Sequence, residues 1–309
     1  MEQKYCKILY AGLGNAGKTS IILSLEQEYS KLSKISPTLG IERSSIDLIG
    51  TETILWDLGG QEKFREKYIR DERSFLDTDL LFYIVDIKDE SLYDVSLKYY
   101  KEILNILKEY NETPEIIICI HKFDPEILDN KDFMEKFEKL KKLFLENSIG
   151  KVKVFKTSIY DRKSLVESFS YGISKLISDL NKIDLLLLNF LDDKKLEGVI
   201  FFEKNSLILS EVYKSDENKP FFLTIIMDML TTIENIKEMK RVNEIYLVIN
   251  KQFQFLLKNL VIDENTFFFV LIGEMFINLQ DIWSNFLREL YPKLESIISK
   301  KGNNNSTID

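Results

Sequence analysis

Short apolar runs alternate with longer stretches of helical period over residues 1–182. The apolar runs predict strands at 7–11, 53–57, 79–86, 115–121 and 152–157. Between them, apolar residues recur with a helical period at 18–28, 91–109, 132–146 and 164–181. Strands separated by helices favour a mostly parallel sheet with helices on both faces. The sequence therefore predicts an α/β domain over this region.

The segment IERSSIDLIGTETILWD, residues 41–57, interrupts this alternation. It predicts two strands joined at Gly50 and Thr51. Such a pair forms an antiparallel hairpin, which we expect at one edge of the otherwise parallel sheet.

The pattern changes again near Leu185. LEGVIFFEKNSLILSEVY predicts a hairpin that turns at Lys204 and Asn205, and a helix follows over 220–240. Three strand-like runs then cover 244–250, 252–263 and 266–273, and a closing helix covers 277–300. This order predicts an antiparallel α+β domain over 183–301. Residues 302–309 are predicted to be a disordered tail.

The amino-acid composition argues against several kinds of binding function. The chain has 309 residues, enough for two cores, and its net charge is −8. That charge argues against nonspecific binding to nucleic acid or anionic lipid. One histidine and two cysteines, Cys6 and Cys119, cannot form a zinc site, and both cysteines lie in apolar runs. Reduced, buried thiols are typical of a cytoplasmic protein.

Membrane attachment is not expected from the chain itself. The N-terminus leads directly into a strand, which is unlike a signal peptide, and position 2 is not glycine. The most apolar runs are too short or too interrupted to span a bilayer. Any membrane recruitment is therefore expected to come through a partner.

A glycine-rich segment follows the first predicted strand. GLGNAGKT, residues 12–19, matches G-x-x-x-x-G-K-[ST] and precedes a helical run, so its backbone N–H groups can surround a polyphosphate. Lys18 is expected to bridge the β- and γ-phosphates, and the Thr19 hydroxyl to bind Mg²⁺. The residues predicted to bind nucleotide in this loop are Gly12, Gly14, Asn15, Ala16, Gly17, Lys18, Thr19 and Ser20.

The motif WDLGGQ, residues 56–61, supplies further candidates. Asp57 ends an apolar strand and is expected to hold Mg²⁺ through a water, although it could also cap a turn. Gly60 allows the backbone to approach a γ-phosphate closely. Gln61, which has both a donor and an acceptor, is expected to orient an attacking water.

The polar segment SPTLG, residues 36–40, lies between these motifs. Thr38 is expected to bind Mg²⁺ with its hydroxyl and the γ-phosphate with its N–H; the alternative is an ordinary loop threonine. A side chain at Gly14 would crowd the attacking water. Gln61, Lys18 and Thr38 are the predicted catalytic residues, and Thr19, Thr38 and Asp57 are the predicted metal ligands.

The only histidine lies in CIHKFDPE, residues 119–126. Asp124 can accept two hydrogen bonds from the N1–H and N2–H₂ groups of guanine, a donor pair that adenine lacks. The stem of Lys122 can lie along the base. The loop Thr157, Ser158 and Ile159 can offer backbone N–H groups to guanine O6. We interpret His121 as a local structural brace without a role in proton transfer.

Together these motifs resemble those of Ras-like GTPases, specifically the Rag/Gtr family. Three segments are similar to Rag sequences: HKFD, FKTSIYD and IVDIKDESLYDVSLKYYKEILNIL. Three others are closer to the corresponding motifs of Arf proteins: GLGNAGKT, PTLG and WDLGGQ. The resemblance implies a P-loop NTPase G domain over 1–182, followed by a roadblock-like dimerisation domain. It also implies GTP or GDP with Mg²⁺, and regulatory and effector proteins that contact the switch loops.

Three functions follow from these expectations. The first is a switch that binds GTP, hydrolyses it slowly and dimerises with itself or a related subunit. Slow turnover is expected because no arginine is evidently placed to act within the chain. The alternatives are a dimeric scaffold with a largely structural nucleotide, and an Arf-like trafficking GTPase. The Arf-like function is disfavoured because the chain lacks an N-terminal amphipathic helix and a lipid site.

Overall fold

The structure is a computed structural model, and it describes residues 5–26, 29–32, 34–49, 51–203, 207–235, 243–263 and 265–302. The chain divides into two compact units, Met1–Leu176 and Ile177–Asp309. The predicted boundary at residue 182 lies a few residues later, within a helix of the second unit.

The first unit contains a six-stranded sheet. Its strands are β1 (Cys6–Gly12), β2 (Ile41–Leu48), β3 (Thr51–Leu58), β4 (Leu80–Asp86), β5 (Glu115–His121) and β6 (Val152–Thr157). The strand order is β2-β3-β1-β4-β5-β6. Only β2 runs antiparallel to its neighbour. The mostly parallel sheet with an antiparallel edge hairpin is therefore confirmed, while Gly50 of its turn lies outside the described residues.

Helices cover both faces of this sheet. They are α1 (Lys18–Leu25), α2 (Tyr29–Leu32), α3 (Glu62–Arg70), α4 (Tyr93–Glu109), α5 (Lys131–Glu146) and α6 (Arg162–Leu176). Because side chains alternate along a strand, Tyr83 packs against Tyr99 of α4 and Phe144 of α5. Phe82 points to the opposite face and stacks on Phe169 of α6. The apolar runs of β1, β4 and β5 are thus buried on both sides.

The second unit is an antiparallel α+β fold, as predicted. Its elements are α7 (Ser178–Lys194), β7 (Gly198–Glu203), β8 (Ile208–Tyr213), α8 (Lys219–Asn235), β9 (Glu244–Ile249), β10 (Phe253–Ile262), β11 (Asn265–Glu274), α9 (Leu279–Glu289) and α10 (Tyr291–Gly302). The strand order is β8-β7-β11-β10-β9, so β8 and β9 form the edges. Residues 204–206, 236–242 and 303–309 lie outside the described part of the chain, and with them the predicted turn at Lys204 and Asn205 and most of the predicted tail.

Two helical predictions differ from the structure, and other helices were not predicted. Helix α3 was not predicted because Tyr68 is its only buried residue. The helix predicted over 164–181 ends at Leu176, since Ile177 has extended backbone angles and a new helix, α7, follows. The closing helix is broken between α9 and α10, next to Pro292. Proline lacks an N–H donor and clashes with the preceding turn of a continuous helix.

The two tryptophans occupy contrasting sites, one in each unit. Trp56 lies on β3 between two cations: Lys7 Nζ is 4.1 Å and Arg43 Cζ 3.8 Å from its ring centre. Trp283 lies on α9 in an aromatic cluster, stacked on Phe286 with ring centres 4.6 Å apart. The environment of Trp56 is therefore cationic, and that of Trp283 is apolar.

Across the described residues, every helix is too short or too polar to cross a bilayer.

Candidate functional site

Three chain segments meet in one cavity of about 200 Å³ at the carboxyl end of β1. The glycine-rich loop joins β1 to α1, and Gly17 precedes the helix with a left-handed backbone at φ 101°, which favours glycine. The cavity is lined by Gly14, Asn15, Gly17, Lys18, Thr19, Ser20, Ile35, Ser36, Pro37, Thr38, Gly60 and Gln61. Residues far apart in the sequence are thus brought to the start of one helix, where backbone N–H groups favour an anion.

Lys18 is buried beside this cavity, with 6% of its surface exposed. Its Nζ donates to the carbonyl of Leu13 at 2.9 Å and to that of Gly12 at 3.2 Å. Burial lowers the pKa of Lys18 to about 8, and the nearby Asp57 carboxylate opposes this change. A buried ammonium bonded only to carbonyls is well placed to bind an anionic ligand.

Thr19 and Thr38 line the same cavity, and their hydroxyl groups converge on Asp57. Thr19 Oγ1 donates to Asp57 Oδ2 at 2.5 Å and lies 3.0 Å from Thr38 Oγ1. Thr38 Oγ1 also donates to Asp57 Oδ2, at 3.2 Å. Asp57 Oδ1 is buried and has no hydrogen-bond partner in the described part of the chain.

This oxygen cluster fits a hard divalent cation such as Mg²⁺, which binds carboxylate and hydroxyl oxygens. The orphaned Asp57 Oδ1 supports that fit, because a buried carboxylate oxygen without a partner is costly. Burial also raises the pKa of Asp57, a cost that a bound cation would offset. The cluster contains one carboxylate and two hydroxyl groups. A site built from three or more His, Cys, Asp or Glu side chains is a different kind of metal site, and none occurs among the described residues.

Gly60 lies directly against the glycine-rich loop. A Cβ atom on Gly60 would be 2.3 Å from the carbonyl carbon of Leu13 and 2.5 Å from the backbone nitrogen of Gly14. A Cβ on Gly14 would instead make ordinary contacts, the nearest at 3.5 Å from the Gly60 carbonyl oxygen. The close approach of the two loops therefore requires glycine at position 60.

We expect Gly60→Ala to lower the melting temperature by roughly 5 °C, because backbone atoms cannot move aside cheaply. Gly14→Ala is the matched control, and it should leave the melting temperature nearly unchanged. Calorimetry of both variants measures the difference. Equal melting temperatures for the two variants would contradict the close approach.

Gln61 is the residue before α3. Its carbonyl accepts the backbone N–H groups of Phe64 and Arg65, each at 3.0 Å, so the start of the helix fixes its backbone. The residue lines the cavity beside Gly60. An amide at this point can orient a water held near the oxygen cluster.

Sequence analysis missed Tyr68 and Arg65, which connect these segments. Tyr68 Oη donates to the Gly40 carbonyl at 2.6 Å, and the N–H of Gly59 donates to the same oxygen at 2.8 Å. Arg65 Nε donates to the Gly60 carbonyl at 3.1 Å. No spacing in the sequence indicates these contacts, because α3 itself was not predicted.

His121 connects the end of β5 to the glycine-rich loop. The residue is 2% exposed, and its Nδ1 lies 3.0 Å from Thr157 Oγ1. The opposite side of the ring faces Gly17, where a Cβ would be 2.8 Å from His121 Nε2. Burial lowers the pKa of His121 to about 4, so the ring is neutral near pH 7. These contacts agree with a structural brace.

This burial makes stability depend on pH between about 4 and 6.5. The unfolded chain, in which the histidine pKa is near 6.5, binds a proton that the folded chain excludes. Stability is therefore lost as pH falls, by about 2 kcal/mol between pH 7 and pH 5. Urea unfolding at both pH values should show a smaller loss for His121→Asn than for the unchanged chain. Equal losses would mean that His121 is not buried in its neutral form.

Asp124 is buried and accepts from two side chains. Ser158 Oγ donates to its Oδ1 and Lys88 Nζ to its Oδ2, each at 2.5 Å. Lys122 Nζ donates to Asp86 Oδ2 at 2.6 Å. Asp86 is the last residue of β4, the neighbour of β5, and Lys88 follows two positions later. Sequence analysis missed both. A signal existed, since polar residues after adjacent parallel strands meet at one edge.

The loop after β6 is organised around Ser158. Its backbone N–H donates to Ser164 Oγ at 3.1 Å, and its Oγ accepts the N–H of Tyr160 at 3.1 Å. The backbone N–H of Ser158 therefore already has an acceptor in α6, whereas the sequence predicted that it would be offered to guanine O6. Ile159 follows in the turn between Ser158 and Asp161, which form an isolated β-bridge.

Comparison with known proteins places these motifs in context. A model of the Gtr1/RagA G protein conserved region matches residues 7–239. Ras-related GTP-binding protein B of Rattus norvegicus is 28% identical over 189 residues, covering 59% of this chain and 49% of that relative. The match therefore spans about half the length of that relative. GTP-binding protein GTR1 of Saccharomyces cerevisiae is 26% identical over 223 residues, covering 69% of this chain and 71% of that protein.

Among solved structures, the Arl6 BBS3 small GTPase from Trypanosoma brucei is similar with a TM-score of 0.43 and 19% identity. The match covers 55% of this chain and 96% of the Arl6 chain.

Proposed function

Because the chain belongs to the Gtr1/RagA G protein family, we propose that it is a guanine-nucleotide switch that binds GTP and GDP with Mg²⁺ and slowly hydrolyses GTP. The observation that carries this proposal is the convergence of Thr19, Thr38 and Asp57 beside Lys18. A buried ammonium and an oxygen cluster at a helix start suit a polyphosphate with its cation. The chain's resemblance to its GTP-binding relatives supports the same conclusion.

In this proposal the predicted residues have the following roles. The N–H groups of residues 14–20 and the Lys18 ammonium bind the phosphates, while Asp124 accepts the N–H groups of guanine. Thr19, Thr38 and Asp57 would hold Mg²⁺, which when bound neutralises charge on the phosphate oxygens. Gly60 gives the γ-phosphate a close backbone N–H, and Gln61 orients the attacking water.

Hydrolysis should be slow in the isolated chain. Arg65 is near the site in sequence, but its Nε donates to the Gly60 carbonyl, so it supports the backbone. A partner protein could supply an arginine that acts on the phosphates. An arginine supplied in this way raises the rate of GTP hydrolysis by about 10³–10⁵ in related enzymes. We therefore propose that regulators act on the segments at residues 35–40 and 59–70, and that effectors contact the same segments.

The experiment that tests this function compares GTP with ATP in single-turnover assays with Mg²⁺. We expect GTP to be hydrolysed and ATP not, because adenine lacks the donor pair that Asp124 requires. Equal turnover of the two nucleotides, or no binding of either, would remove the proposal. Measured GDP release adds a second readout, since a switch must exchange its nucleotide whereas a scaffold with a structural nucleotide need not.

We also propose that the second unit serves dimerisation, with itself or with a related subunit. Its sheet ends in two edge strands, β8 and β9, and edge strands can pair with another chain. On β9, Tyr246 is 49% and Val248 39% exposed. Sedimentation of the full chain, alone and after purification with its native partners, tests this. A monomer in both cases would refute it.

The cytoplasm is the proposed location. Cys119 is buried, and the structure contains it as a free thiol. This is typical of proteins in a reducing compartment. Recruitment to a membrane would then depend on a partner.

A further inference from the structure

Two ion pairs connect the end of β4 and the residues just after it to the base-binding motif proposed above. Lys88 Nζ lies 2.5 Å from Asp124 Oδ2, and Lys122 Nζ lies 2.6 Å from Asp86 Oδ2. Asp86 pairs with His121 in the register of β4 and β5, which fixes the two segments side by side. The backbone N–H of Lys88 also donates to Asp86 Oδ1 at 2.9 Å. The placement of Lys88 next to Asp124 thus follows from the sheet.

The contact with Lys88 is on the accessible side of Asp124. The carboxylate is 9% exposed and the Lys88 side chain 41% exposed. Ser158, which bonds the other carboxylate oxygen, is only 1% exposed. A base that approaches Asp124 from solvent therefore meets the Lys88 ammonium, while Ser158 supports the carboxylate from within the protein.

We propose that Lys88 is a specificity-determining residue that weakens the contact between Asp124 and guanine, and so accelerates release of the bound nucleotide. This inference rests on the proposed function. The ammonium acts in two ways. It occupies Oδ2, one of the two oxygens that guanine needs for its two donors. It also neutralises carboxylate charge, so the base binds a weaker acceptor.

The direction of the effect separates this role from simple charge attraction. Guanine nucleotides are anionic, so a lysine near them should strengthen binding through its charge, and its removal should weaken binding. Competition for Asp124 predicts the opposite. Removal of the Lys88 ammonium should make nucleotide release slower.

The test measures release of ribose-labelled fluorescent GDP from the full chain with Mg²⁺. We expect Lys88→Met to release GDP about tenfold more slowly than the unchanged chain, the value of one charge-assisted hydrogen bond. Lys88→Arg keeps the positive charge and should release GDP at nearly the original rate. Lys136→Met removes a nearby lysine that pairs with Glu90 at 3.1 Å, and it should change nothing.

Release of labelled inosine diphosphate tests whether the effect of Lys88 acts through the base. Hypoxanthine lacks the 2-amino group and makes one bond to the carboxylate, so Lys88→Met should slow its release less than that of GDP. Equal slowing of both nucleotides would overturn the proposal, as would unchanged or faster GDP release. These outcomes differ from a failure of the proposed function, in which the unchanged chain would not bind GDP at all.

Discussion

Gln61→Leu is expected to slow GTP hydrolysis by roughly 100-fold, because the attacking water would no longer be held in position. Leucine has a similar volume but no donor or acceptor, so it cannot orient the attacking water. Binding should be nearly unchanged, because in the proposed site the phosphates would be held by the glycine-rich loop and by Lys18, which is buried beside it. Single-turnover hydrolysis and the dissociation constant for GTP should be measured together.

The matched control is Gln252→Leu, an exposed glutamine between β9 and β10. It should alter neither quantity. The proposed role of Gln61 is incorrect if its variant hydrolyses GTP at the original rate. It is also incorrect if binding and hydrolysis decline in parallel, because the residue would then act in binding and not in the reaction.

Asp124→Asn should weaken GDP binding by roughly 100-fold and improve binding of xanthosine diphosphate. One carboxylate oxygen becomes an NH₂ group, which opposes a guanine donor and leaves both groups without an acceptor. Xanthine has a carbonyl in place of the 2-amino group and can accept from that NH₂. Titration calorimetry with both nucleotides measures the change of preference.

Asp129→Asn, at an exposed position five residues along the chain, serves as the control and should bind both nucleotides as the unchanged chain does. A loss of affinity for both diphosphates in the Asp124 variant would indicate a disrupted loop. In that case Asp124 would have a structural role and would not read the base.

The predictable parts of this chain are those whose pattern is local. Strands β5 and β6 begin and end at the predicted residues. β5 is apolar between Glu115 and His121, and β6 contains Val152, Val154 and Phe155 within six residues. Helix α3 could not be found in this way. It buries only Tyr68, and its remaining residues are polar enough to resemble a loop. Its hydrogen bond from Tyr68 to Gly40 joins residues 28 positions apart.

The site shows the same division. The glycine-rich loop is contiguous in sequence, and the structure places it beside Thr38 and Gly60. Lys88 is different, because its contact with Asp124 spans 36 positions. Only the order of the strands brings the two together, and that order is a property of the folded sheet.

The positions of the two tryptophans give the molecule a pair of built-in optical probes. Replacing Trp283 with phenylalanine leaves emission from Trp56, which lies between Lys7 and Arg43 in the first unit. The reciprocal replacement leaves emission from the aromatic cluster of the second unit. Fluorescence of these two single-tryptophan proteins during chemical denaturation would follow each unit separately, and it would reveal whether they lose their structure in one step or in succession.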